Sequence, residues 1–160
     1  MKRVERNPFE VEHMLTDRMF AQLTTDAKRR QGSKGKDSRF TDRRIKKSTS
    51  NLNVHIKGLL GEYAVAHILG EPIDRNVGVA ADKYQDFNVD GLRLEVKTLK
   101  GFLLLNDLNF KADLYLLVIH EWPLTRRVWV QGFADRQLIT RRHFKQDFGY
   151  GDRYCVAPKQ

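Results

Sequence analysis

Asp86, Glu95 and Lys97 are the residues whose types and spacing could do chemistry together. They fall in QDFNVDGLRLEVKT, residues 85–98, where apolar and polar side chains alternate with the two-residue period of a β-strand. Asp90-Gly91 interrupts the alternation with the strongest short hairpin signal, since both central positions of a type I′ turn need positive φ. With those two residues as the loop, Val89 faces Leu92, Asn88 faces Arg93, Phe87 faces Leu94 and Asp86 faces Glu95. Phe87, Val89, Leu92, Leu94 and Val96 then share one side, and Asp86, Asn88, Arg93, Glu95 and Lys97 the other.

Two carboxylates facing each other across a strand pair, with β-carbons roughly 5 Å apart, repel unless something positive sits between them. A divalent cation suits that spacing. Oxygen ligands without thiolate or clustered imidazole select Mg²⁺, for which Mn²⁺ substitutes, over Zn²⁺. Lys97 points to the same side, where its ammonium can reach a metal-bound water or a phosphate oxygen. A metal that acidifies water, beside a lysine that orients it and offsets charge developing on phosphorus, is an arrangement for cleaving phosphodiesters. The same triplet also fits a solvated strand face on which Lys97 merely screens the acids.

The elements that must position these residues follow from the remaining pattern. FEVEHMLTDRMFAQL, residues 9–23, reads as a helix, and QGSKGKDS, residues 31–38, as a loop. Residues 51–69 are helical, capped by Ser50 or Asn51 and stopped by Gly70 and Pro72. Gly58 and Gly61 would let this helix approach a sheet closely. ADLYLLVIHEW (112–122) reads as a buried strand and RRVWVQGF (126–133) as its neighbour, followed by a short helix over 134–144 and a Gly-punctuated tail that can add an edge strand. This order predicts an α/β (α+β) fold, a central mixed β-sheet of four to five strands flanked by helices. Residues 1–50 form an N-terminal helix and basic arm, and 51–160 the core.

The 160 residues suit one domain, and the single cysteine, Cys155, excludes an intramolecular disulfide and paired-cysteine zinc sites. The charged start and the short apolar run LYLLVI suggest a soluble, cytoplasmic protein with no membrane partner. Charge is concentrated. Lys28, Arg29, Arg30, Lys34, Lys36, Arg39, Arg43, Arg44, Lys46 and Lys47 face only Asp37 and Asp42 between residues 28 and 47, a balance of +8 out of +9 for the chain. Such a segment favours a polyanion, nucleic acid first, because each neutralised phosphate releases condensed counterions. It lacks the apolar face of an interfacial helix, having only Phe40 and Ile45, and could also be a solubilising arm.

Asp86, eight residues, then Glu95-Val96-Lys97, preceded by a helix with an isolated acid, resembles the PD-(D/E)XK nuclease superfamily with its restriction-endonuclease-like fold. The resemblance spans residues 57 to about 133, and Gln85 stands where the motif's proline would be. It implies that Asp86 and Glu95 bind Mg²⁺, that Lys97 assists the attacking water, and that Glu62 completes the metal site. It further implies DNA endonuclease activity leaving a 5′-phosphate, possible homodimers, and a place among small phage and bacterial members, in a bacterial or phage-infected cell. Glu62 has Gly58, Leu59, Val65 and Ala66 as helical neighbours, so no local ion pair explains it, although an acid early in a helix is ordinary.

Asp82 is a weaker alternative to Asp86, and His55 and His67 lie over three turns apart, too far to chelate one ion. Trp122 and Trp129 could be core, rim or base-stacking residues, and Arg126, Arg127, Arg141 and Arg142 could extend the basic surface. A catalytically inactive nucleic-acid-binding module on the same fold, and a basic arm for an acidic protein partner, are the competing readings.

Overall fold

The computed structural model describes residues 11–34, 51–73, 86–99, 103–106, 111–141, 144–147 and 152–156. The chain runs β1 (Val11–Met14), α1 (Asp17–Lys34), α2 (Asn51–Leu69), β2 (Phe87–Val89), β3 (Leu92–Thr98), β4 (Leu103–Asn106), β5 (Leu114–His120), β6 (Arg127–Asp135), α3 (Arg136–Ile139), β7 (Lys145–Asp147) and β8 (Asp152–Val156). Five strands form a mixed sheet in the order β1-β6-β5-β3-β2, and β4-β8-β7 form a second, antiparallel one. Only β3 and β5 run parallel in the first sheet. The expected α/β architecture, a mixed sheet flanked by helices, is present.

The hairpin forms as its residues dictate. Asp90 and Gly91 adopt φ of 50° and 84°, and Val89, Asn88 and Phe87 pair with Leu92, Arg93 and Leu94. Phe87, Leu94 and Val96 are buried against α2 in a core that includes Leu59, Leu60, Tyr63, Val118 and Val128. Leu92, beside the turn, stays exposed. A second core on Tyr115, Leu117, Ala134, Ile139, Phe144 and Val156 joins the main sheet to α3 and β8.

Four expectations need correction. Residues 9–23 do not make one helix: Val11–Met14 pair as an edge strand with Arg127–Val130, and the helix starts only at Asp17. Thr16 sets that start, its hydroxyl accepting from the Met19 N–H at 3.2 Å, and sheet pairing outweighs the loose helical spacing before it. The helix then continues to Lys34, through the first part of the expected loop. Within 134–144 the α-helix α3 covers Arg136–Ile139 rather than starting at Ala134, because Ala134 and Asp135 remain in β6, where Asp135 caps the helix by accepting from Leu138 N–H at 2.6 Å. The tail strand joins the second sheet rather than the edge of the first.

Two contacts fix α1 and α2 relative to each other and to the sheet. Asp26, a carboxylate only 5% exposed, accepts from the Tyr63 hydroxyl at 2.6 Å. Gly61 lies so close to β3 that a Cβ there would meet Thr98 Oγ1 at 2.1 Å and Val96 Cγ1 at 3.0 Å. The Thr98 hydroxyl donates to the Gly58 carbonyl at 3.2 Å, but a Cβ on Gly58 would meet nothing, so of the two glycines Gly61 is the one the packing requires. Among the described residues no helix is long and apolar enough to cross a membrane.

Candidate metal centre

Asp86 stands where the hairpin ladder ends. Pairing stops at Phe87–Leu94, and the Asp86 N–H donates to the Leu94 carbonyl at 2.8 Å. Its carboxylate accepts from the Val96 N–H at 2.6 Å, the role a backbone carbonyl plays further along the ladder. Asp86 is therefore tied to β3 by its own side chain rather than simply placed opposite Glu95. Burial pushes its carboxyl up to about 7, and the negative charge of Glu62 and then Glu95 adds to the shift. The Val96 hydrogen bond and Lys97 act in the other direction without prevailing.

Glu95 and Lys97 form an ion pair on the side of β3 away from Leu94 and Val96. That side is not a solvated face. Glu95 aligns with Tyr115 and Lys97 with Leu117 on β5, both in the second core, and the Glu95 side chain is only 14% exposed against 31% for Lys97. Glu95 Oε2 is buried without a hydrogen-bond partner among the described residues. An orphaned carboxylate oxygen is costly unless something positive is provided for it. Tyr115 senses the same charge: burial first, and Glu95 next, raise its hydroxyl above the ordinary tyrosine value.

Glu62 reaches this region from α2, one residue after the close contact of Gly61 with β3. Its counter-charge comes from α1. Arg30 donates to both Glu62 oxygens, Nη1 to Oε1 at 2.8 Å and Nη2 to Oε2 at 2.6 Å. The pair is largely enclosed, Arg30 being 27% and Glu62 12% exposed. Burial works against the Arg30 charge, but the Glu62 hydrogen bonds and the charges of Glu62, Asp86 and Asp26 outweigh it and raise its pKa. Arg30 was one of the residues expected to grip phosphate; here its guanidinium faces the carboxylates. A partner 32 residues away in sequence leaves no local signal.

Glu62, Asp86 and Glu95 thus interact, with Arg30 and Lys97 as counter-charges. Oxygen-only donors, a Glu95 Oε2 without a partner among the described residues and the crowding that raises the Asp86 carboxyl are the chemistry that suits a hard divalent cation. Among the described residues no three His, Cys, Asp or Glu side chains are grouped so that they could hold an ion. Arg30 occupies both Glu62 oxygens and Lys97 one of Glu95.

The other candidates take different places. Lys28 and Arg29 are exposed near the end of α1, and Lys34 is its last residue; Lys36, Arg39, Arg43, Arg44, Lys46 and Lys47 lie outside the described residues, as do Asp82, Gln85 and Arg142. Arg126 pairs with Asp17 and covers the Phe20 ring at 4.5 Å, while Arg127 lies 3.0 Å from Glu12, so both fasten the N-terminal elements to the sheet. Trp129 donates to Glu12 at 3.3 Å and Trp122 packs against Phe20. His67 stacks on His13 at 4.6 Å. A cavity of about 690 Å³ between Met14–Asp17 and Trp122–Arg126 is lined by none of the three carboxylates.

Compared with protein-family models, curated proteins and solved structures, the chain shows no significant match.

Proposed function

We propose that the protein is a metal-dependent endonuclease of PD-(D/E)XK type acting on DNA. The observation that carries this reading is the enclosed set of carboxylates at the end of the β2–β3 hairpin: Asp86, its carboxyl pushed up to about 7 by burial and by Glu62, and Glu95 with one oxygen that has no hydrogen-bond partner among the described residues. A protein that only binds nucleic acid gains nothing from carboxylates that repel phosphate. Asp86 and Glu95 would hold Mg²⁺ or Mn²⁺, with Glu62 as the further ligand. The ion would acidify bound water and neutralise charge on the scissile phosphate. Lys97, partly exposed and steered by Glu95, would orient the water and stabilise the developing negative charge. Lys28 and Arg29, exposed on the same helix as Arg30, would hold the backbone nearby.

One observation favours a second reading, an inactive nucleic-acid-binding module: Arg30 and Lys97 already compensate two of the three acids. Binding separates the two. In a Lys97→Ala protein, which should cut far more slowly than the parent, affinity for a labelled DNA duplex should rise severalfold when Mg²⁺ replaces EDTA at constant ionic strength. An affinity set by salt alone and indifferent to Mg²⁺ supports the binding module instead.

A further inference from the structure

We propose that Arg30 is a substrate-responsive latch on Glu62: its guanidinium holds both carboxylate oxygens until a backbone phosphate takes their place, and Glu62 is then released to a metal ion. This rests on the metal-dependent reading above and assigns Arg30 a positioning role within it. The planar guanidinium fork accepts a carboxylate or a phosphate with the same pair of parallel hydrogen bonds, so the two compete for one donor set. The 2.8 and 2.6 Å contacts to Glu62 are that fork fully engaged.

Position makes the exchange possible. Arg30 is about one quarter exposed, so its guanidinium is open to solvent and to a phosphate arriving from it. The Asp26–Tyr63 hydrogen bond fastens α1 to α2 one turn earlier, so Arg30 can change partner by side-chain rotation while its helix stays in place. Breaking the buried pair with nothing in return would strand two charges, whereas the exchange leaves each compensated, Arg30 by phosphate and Glu62 by the cation. Metal and nucleic acid must then strengthen each other's binding by one common factor.

Mn²⁺ titration followed by electron paramagnetic resonance, without nucleic acid, tests this. Arg30→Met should bind Mn²⁺ about tenfold more tightly than the parent, within the usual range of coupling between sites. The double variant Arg30→Met/Glu62→Gln should lose that gain. A phosphorothioate duplex should tighten Mn²⁺ binding in the parent and leave Arg30→Met unchanged. If Arg30→Met does not fold, Arg30→Lys keeps a cation and lacks the fork, and should tighten Mn²⁺ binding severalfold. Equal Mn²⁺ affinity in parent and Arg30 variants, with binding lost in Asp86→Asn, overturns the latch alone. No Mn²⁺ binding by any of them overturns the metal reading and the latch with it.

Discussion

Asp86→Asn should be more stable than the parent protein at pH 8 in EDTA, and inactive in Mg²⁺. The Asp86 carboxyl titrates at about 7 in the fold against an ordinary value of 3.8, so the folded state retains its proton over a range where the unfolded chain has lost it. Its contribution to stability is complete below about pH 4 and is lost as pH rises through 7, a change of up to about 4 kcal/mol. Asparagine cannot ionise, yet it keeps an acceptor for the Val96 N–H. Urea midpoints at pH 5 and pH 8 should therefore show the variant gaining on the parent toward alkaline pH. Mg²⁺ at a hundred times its dissociation constant should return about 2.7 kcal/mol to the parent and little to the variant. A parent that gains on Asp86→Asn between pH 5 and 8 would show an Asp86 stabilised as the anion, against this account.

Gly61→Ala should cost about 1–3 kcal/mol, the range for overpacking a tight contact, and lower the melting temperature by several degrees. The added methyl would lie 2.1 Å from Thr98 Oγ1 and 3.0 Å from Val96 Cγ1. Thr98 can turn away only by giving up its bond to the Gly58 carbonyl, so α2 must lift from β3. Glu62 follows Gly61 directly and Val96 sits between Glu95 and Lys97, so the displacement also reaches the carboxylates from both sides. Thr98→Ala in the same chain removes the nearest atom and should restore part of the loss, leaving the Val96 contact. Gly58→Ala meets nothing within 4 Å and should be neutral or stabilise through helix propensity, by up to about 1 kcal/mol. Melting curves of the four proteins read all of these at once; equal melting of Gly61→Ala and Gly58→Ala would mean that α2 does not press on β3 there.

What could be read from sequence was local. Asp90-Gly91 fixes its own turn chemistry, and the alternation around it sets the register from Phe87 to Leu94 without help from the rest of the chain. The helix ending before Gly70 was equally plain, because glycine at φ 72° supplies a left-handed stop. What stayed hidden depends on distant partners. Val11–Met14 becomes a strand only because β6 offers an edge, and β4 finds its partner in β8, with Leu103 opposite Val156. Asp86 was legible as a residue of interest but not as a ladder-ending acceptor. Arg30 was legible as a cation and not as the partner of Glu62, since charge runs say nothing of which member turns inward.

The central claim, metal-dependent cutting of nucleic acid at these carboxylates, is tested most directly by one measurement. Labelled linear duplex, single strand, four-way junction and RNA are incubated with the parent and with Lys97→Ala, in Mg²⁺ and in EDTA. The account predicts cleavage of DNA that EDTA abolishes and that Lys97→Ala lowers by roughly 10²–10³-fold, the usual loss when one group stabilising developing charge is removed. Substrates bound but never cut, equally in Mg²⁺ and EDTA, would contradict it.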